Sequence, residues 1–287
     1  MSSDMNRREV LLGAAAAGVA GTGGAAGRVA PALFVSHGSP MLALDTDGPV
    51  RALRALGEEL AWVRAVVVVS AHWETPGEVR VTAAEAPPLL YDFGGFPPEL
   101  YQLTYPSPGS PALARRIVER LRAAGVPSAE DPGRGWDHGT WIPLRLAFPE
   151  ARLPVVQVSL PAGGEAADVM RVGEALRPLR QDGVLLVGSG GITHNLRRLS
   201  WRDKHAPAEA WANEFDGWVA SRLAARDFPG LRAWTSAPHA RLAHPSAEHF
   251  LPLFFVLGAA LPEDRVTPVF EGFHHATLSM RSFALRA

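Results

Sequence analysis

The chain has no cysteine. That absence excludes disulfides, thiolate-held zinc, iron–sulfur clusters and a cysteine nucleophile, so any bound metal must be held through nitrogen and oxygen. An excess of charge of one sign is missing too: 28 basic residues stand against 29 acidic ones, for a formal net charge of −1. Without a basic surplus there is no electrostatic footprint for nucleic acid or for an anionic membrane surface. Lysine is nearly absent, Lys204 being the only one, which reads as compositional bias rather than a functional signal. The small-residue apolar stretch from Gly13 to Gly27 is too short and glycine-rich for a membrane span, so no stable membrane insertion is expected.

With 287 residues, 47% of them hydrophobic, the chain can bury a sizeable core as one large domain or two small ones. From Pro31 onward no linker, low-complexity segment or internal repeat interrupts it, which favours one domain over residues 30–287. Residues 1–29 are expected to lie outside that fold. There Asn6-Arg7-Arg8-Glu9-Val10-Leu11-Leu12 leads into the apolar stretch and reads as a twin-arginine signal for export to the periplasm. The alternative is a disordered alanine- and glycine-rich tail on a cytoplasmic protein.

The pattern is α/β. Short β-branched runs bounded by turn residues mark buried strands at Ala32–Ser36, Val66–Ser70, Pro154–Ser159 and Val184–Gly188. Strands apolar throughout belong inside a sheet covered on both faces, so a three-layer α/β/α domain with a mostly parallel or mixed sheet is expected. Pro111–Ala124 opens with proline and closes before Gly125, as a helix does. A second helix spans roughly Ala208–Ala225, with Trp211, Phe215, Trp218, Val219 and Leu223 on one face as core. Two loops, Tyr91–Pro111 and Asp131–Thr140, are dense in glycine, proline and aromatics, and long ordered loops of this kind build sites. Arg265–Phe273 reads as a late edge strand, and Ala276–Ala287 as a strand or helix.

Three of the ten histidines follow buried-looking strands: His37 in Ser36-His37-Gly38-Ser39-Pro40, His72 in Ser70-Ala71-His72-Trp73, and His194 in Gly190-Gly191-Ile192-Thr193-His194-Asn195. In open α/β sheets the carboxyl rim of the strands is where ligands bind. A single such histidine is most often a hydrogen-bonded structural residue; three in parallel contexts point to a metal. Neutral imidazole binds divalent metals at little protonation cost and suits iron, zinc and copper better than magnesium or calcium. His249 or Glu248, just before an apolar run expected to be a buried helix, can complete the site, but adjacent helical residues diverge by about 100° and would not share one ion. Against that stands a plain helix start, with Glu248 complementing the dipole. His138, in the glycine-flanked Gly135-Trp136-Asp137-His138-Gly139, is a candidate base or substrate contact.

Other motifs fail on inspection. Gly188, Gly190 and Gly191 lack both the phosphate-loop lysine and the dinucleotide spacing, and the nucleophile-elbow pattern of serine hydrolases is absent. His205, His239, His274 and His275 have no comparable context and read as solvated or structural, although the His274-His275 pair remains a candidate for lining a pocket.

Taken together, the histidine segments, Tyr91-Asp92-Phe93-Gly94-Gly95-Phe96-Pro97, Trp136-Asp137-His138-Gly139 and His244-Pro245 through Leu251-Pro252-Leu253 resemble the class III extradiol aromatic ring-opening dioxygenases, in the branch of the DOPA 4,5-dioxygenases of plants and their bacterial relatives. The resemblance runs from about Pro31 to the end. It implies that His37 and His72 bind the metal with His249 as third protein ligand. His194 would be the acid/base residue, near enough to coordinate zinc in some states, with Asn195 or Thr193 orienting it. His138 would contact substrate or oxygen, and Gly94, Gly95 and Phe96 would wall the ring. In the other branch of that superfamily the third ligand is a glutamate, which keeps Glu248 in competition. The implied reaction uses Fe(II) and O2 to open a DOPA-like catechol, with Zn(II) as a possible bound metal. A zinc-dependent hydrolase on the same histidines, or a non-catalytic metal-binding protein, are the competing readings.

Overall fold

The computed structural model describes residues 27–287, so the expected twin-arginine segment, residues 1–29, lies outside the described residues except for its last three positions. Its strands are β1 (Ala32–Ser36), β2 (Ala65–Thr75), β3 (Val79–Thr82), β4 (Ser128–Asp131), β5 (Val155–Pro161), β6 (Val184–Gly190), β7 (Arg265–Phe270), β8 (Phe273–His274), β9 (Leu278–Ser279) and β10 (Ser282–Arg286). The helices are α1 (Gly48–Glu59), α2 (Pro111–Ala123), α3 (His138–Ala147), α4 (Ala166–Leu176), α5 (Ala210–Ala224), α6 (Phe228–Arg232), α7 (Ala240–Ala243) and α8 (Pro252–Gly258).

Eight strands form one sheet in the order β4-β3-β5-β2-β6-β1-β10-β7. Its centre, β5-β2-β6-β1, is parallel and consists of the four strands legible in the sequence. Alternate residues divide between two cores, because successive side chains on a strand point to opposite faces. Leu33, Val35, Val66, Val68, Leu185 and Val187 pack with α1 and α3, while Phe34, Val67, Val69, Val184 and Leu186 pack with α2, α4, α5 and α8. Each fully buried valine or leucine contributes roughly 1.5–3 kcal/mol, which is why these runs have no polar alternation. The three-layer α/β/α expectation holds.

The margins of the sheet are where the sequence pattern was too weak. Both β3 and β4 are short, and β4 (Ser-Ala-Glu-Asp) is only partly buried. At the other margin Arg265–Phe270 is the edge strand, and the undecided chain end is a strand, with β10 antiparallel to both β1 and β7. The 111–124 helix appears as α2, capped by the Ser110 hydroxyl, which accepts from the Leu113 N–H at 3.2 Å. In α5, Trp211, Phe215, Val219 and Leu223 are buried as expected and Trp218 is partly so. One correction bears on function: His138 is not in a loop but is the first residue of α3, with Asp137 as its cap.

Candidate metal centre

Strand ends deliver the first two histidines. His37 directly follows β1, and its N–H donates to the Gly190 carbonyl at 3.1 Å, extending the β1–β6 pairing by one residue. His72 lies inside β2, which runs further than the sequence indicated. Between Val69 and Glu74 that strand loses register with β5, a bulge of the kind that re-aims side chains beside active sites. His249 arrives from the opposite layer, three residues before α8, and its carbonyl accepts from the Gly191 N–H at 2.8 Å. The glycines rejected as a phosphate loop explain this approach. A Cβ on Gly190 would lie 2.2 Å from the His249 carbonyl oxygen, and one on Gly188 2.2 Å from that of Pro252. Glycine here is a condition for bringing His249 onto β6.

The three imidazoles face one another. The Nε2 atoms of His37 and His72 stand 3.1 Å apart. Ring centroids are 5.3 Å apart for His37 and His249 and 4.9 Å for His72 and His249. One ring nitrogen from each lies within 4.8 Å of the other two. Hydrogen bonds decide which nitrogens these are for His37 and His249. The Ser189 hydroxyl donates to the Gly139 carbonyl, so it accepts from His37 Nδ1–H at 2.9 Å, leaving His37 Nε2 with a lone pair. His249 Nδ1 donates to the Glu248 carboxylate at 3.0 Å, and its Nε2 is buried without a partner. His72 Nδ1 faces the Asp92 carboxylate at 3.6 Å.

Three lone pairs directed into one buried space repel each other, and an unpartnered buried acceptor costs about 1–3 kcal/mol. A divalent cation between the three nitrogens relieves both penalties, so the residues fit a metal. Burial, helped by the neighbouring imidazoles, holds His37 and His249 well below the ordinary histidine range, and His72 falls to about 4, burial again being the main cause. All three are therefore neutral at pH 7. Partners on the far nitrogen that fix tautomer and ring orientation are the usual support of metal-bound histidine.

Two further histidines line the same cavity, of about 830 Å³, with Phe93, Phe96, Leu196 and Trp201 on its walls. The His194 ring lies parallel to that of His249, with centroids 3.4 Å apart, and burial lowers it to about 3. Thr193 and Asn195 hold the backbone of this loop instead of the ring: Thr193 Oγ1 donates to the Thr277 carbonyl and Asn195 Nδ2 to that of Leu242, each at 2.7 Å. The His138 ring is 4.1 Å from that of His72, and its Nδ1 and backbone N–H both bond Asp92 Oδ1 at 2.9 Å. Burial alone would raise Asp92, but its hydrogen bonds with His138 bring the carboxyl down to about 2; because His138 Nδ1 donates to that carboxylate, Nε2 is the ring nitrogen left facing away from it.

The structure thus brings together His37, His72, His138, His194 and His249, with Glu248 alongside. Phe93, Gly94 and Phe96 line the cavity. His205, His239, His274 and His275 do not. His239 is exposed and pairs with Glu214 at 2.7 Å, His274 is buried against Asp47 at 3.1 Å, and His275 Nδ1 donates to the Ser200 carbonyl at 3.0 Å. Sequence reasoning passed over Asp92, Asp137, Gly139 and Ser189. Asp137 is fully buried, caps α3 and accepts from Ser70 Oγ at 2.7 Å. The only signal for these four was position, each falling in or beside a histidine motif or a site-building loop.

Comparison with known proteins agrees with this arrangement. The family model described as the catalytic LigB subunit of aromatic ring-opening dioxygenase matches residues 31–284. A protein named 4,5-DOPA dioxygenase extradiol from Escherichia coli K12 is 42% identical over 256 residues, 88% of this chain and 93% of its own. One of the same name from Beta vulgaris is 38% identical, over 87% of this chain and 94% of its own. The crystal structure of an uncharacterized protein from Escherichia coli K12 superposes with a TM-score of 0.77 at 38% identity, covering 90% of this chain and 99% of that one.

Proposed function

The chain belongs to the family of the catalytic LigB subunit of aromatic ring-opening dioxygenases and is a metal-dependent extradiol ring-cleavage enzyme, and from that premise we propose that it opens DOPA-like catechols with Fe(II). Membership in that family sets aside the hydrolase and the non-catalytic binder. The substrate class draws on the names of the relatives, which are those of DOPA dioxygenases. The all-imidazole donor set accepts iron, zinc or copper alike, and Fe(II) is favoured among them by a reaction that consumes O2.

The observation that carries the assignment of ligands is the convergence of three ring nitrogens within 4.8 Å of one another, with the far nitrogen of His37 bonded to Ser189, that of His249 to Glu248, and that of His72 facing Asp92 at 3.6 Å. His37, His72 and His249 hold the metal, and Glu248 serves His249 from behind. When bound, Fe(II) supplies open positions for the diol and O2 and lowers the cost of removing the catechol protons. His194, neutral and on the cavity wall, takes a proton from the substrate and returns one as the ring opens. His138, fixed by Asp92, offers Nε2 to substrate or oxygen. Phe93 and Phe96 cover the ring and exclude water. Both oxygen atoms of O2 enter the product as the carbon–carbon bond beside the diol breaks, which yields a yellow semialdehyde.

Anaerobic reconstitution with Fe(II), followed by a catechol panel read by oxygen electrode and visible absorbance, tests this. Oxygen uptake coupled to a yellow product is expected, with loss of both in His37→Ala and His72→Ala. Equal turnover of the zinc-loaded protein would overturn the iron assignment, and no turnover across the panel would overturn the substrate class.

A further inference from the structure

The cavity that holds the histidines carries one cationic side chain that the ring chemistry does not use. Among the described residues lining it, Arg197 is the only arginine or lysine. It sits on the one-turn segment Leu196–Arg198, three residues beyond His194, with its backbone N–H donating to Asn195 Oδ1 at 3.2 Å. Asn195 in turn donates to the Leu242 carbonyl, so the backbone carrying Arg197 is fixed. Its guanidinium makes no hydrogen bond or ion pair with any described residue, which it shares with surface arginines such as Arg54 and Arg202; what sets this exposed residue apart is its place on the wall of the histidine cavity.

The two carboxylates of the cavity do not neutralise it. Asp92 is engaged by His138 and His72, and Glu248 by His249 and Ser246. On either side of Arg197, Leu196 and Trp201 line the cavity while remaining 53% and 57% exposed. Apolar surface of that size at the rim suits the aliphatic or aromatic body of a ligand, and an arginine on the same wall suits an anion. Arginine binds carboxylates bidentately, with charge-assisted bonds roughly twice as strong as neutral ones.

We propose that Arg197 is the specificity-determining residue of this enzyme, binding the carboxylate of a catechol's side chain at the cavity rim while the diol lies against the histidines. This rests on the ring-opening function proposed above and narrows its substrates to catecholic acids, including amino acids, over catecholic amines and neutral catechols. Leu196 and Trp201 flank the linker between ring and carboxylate.

The test compares 3,4-dihydroxyphenylpropionate with its methyl ester, in which one added methyl group removes the charge at the far end. Wild type, Arg197→Lys and Arg197→Gln are assayed for kcat/KM by oxygen uptake and, without oxygen, for binding to the iron-loaded protein by calorimetry. One charge-assisted pair corresponds to an acid-over-ester preference of roughly tenfold or more in wild type. That ratio should fall towards one in Arg197→Gln, mainly through KM and affinity, with part of it kept in Arg197→Lys. Added salt should erode it, because the pair is partly exposed. The proposal is overturned by a wild-type ratio near one, or by an equal ratio in wild type and Arg197→Gln. If neither compound is turned over, the ring-opening function fails on its own account, and the anaerobic binding ratio still decides the role of Arg197.

Discussion

Replacing Gly139 with alanine probes the packing behind the histidines without substituting any of them. A Cβ at this position would lie 2.5 Å from Ser70 Oγ, 3.0 Å from His72 Cδ2 and 3.2 Å from His37 Nδ1. Ordinary contact begins at 3.4 Å, so Ser70 Oγ must retreat by 3.4 − 2.5, or 0.9 Å, and His72 Cδ2 by 3.4 − 3.0, or 0.4 Å. Neither can move independently. Ser70 Oγ is bonded to Asp137 at 2.7 Å and accepts from the His72 N–H at 3.3 Å. The strain therefore passes into the carriers of His72 and His138. Overpacking of this size costs about 1–3 kcal/mol, partly offset by about 1 kcal/mol of helix propensity gained when alanine replaces glycine in α3. The variant should fold, with a melting temperature a few degrees from wild type. Activity should respond far more, because a misplacement of about 1 Å at a reacting centre costs on the order of 100-fold. Calorimetric melting, metal content after reconstitution and catechol-dependent oxygen uptake read the three quantities separately. Wild-type metal affinity together with wild-type turnover would refute the close packing on which the geometry of the centre rests.

The competition between His249 and Glu248 is settled by comparing His249→Ala with Glu248→Gln. If Glu248 only accepts the His249 Nδ1 proton, the glutamine keeps an acceptor and retains metal at a cost within about 100-fold, whereas His249→Ala loses it; equal loss in both would make Glu248 a ligand. Ser189→Ala removes the acceptor that sets the His37 tautomer and should weaken metal binding about 10- to 100-fold with little change in melting temperature. An unchanged dissociation constant would count against that tautomer. Finally, burial lowers His244 to about 4 from near 6.5 in the unfolded chain. Between those values the unfolded chain binds a proton that the folded one does not. The stability contributed by neutral His244 is therefore full above pH 6.5 and is lost as pH falls towards 4. From pH 7 to 5 that amounts to about 2 kcal/mol. Denaturant midpoints should fall more steeply over this range in wild type than in His244→Gln, and identical slopes would exclude the effect.

Local pattern suffices where local pattern is the cause. The four central strands are apolar on both faces because both faces are covered, and that alone made them legible, along with the α/β class and the histidines at their carboxyl ends. The short marginal strands are not legible, because β3 and β4 take their conformation from neighbours rather than from an apolar run. His138 was misplaced in a loop for a similar reason: its helix opens Gly-rich, and the cap, Asp137, earns its place through Ser70 and Gln157 on distant strands.

The amino-acid sequence by itself determined the fold class, the exclusion of thiolate chemistry and the set of histidines from which a metal centre can be built. Tertiary structure decided which of the ten histidines meet and which of their nitrogens point inward. It also showed that Ser189, Asp92 and Glu248 stand behind His37, His72 and His249, and that Arg197 shares their cavity. Strand and helix periodicities are written in neighbouring residues, whereas a coordination site is an agreement among side chains as far apart in sequence as His37 and His249, and only the packed chain brings their lone pairs to one point.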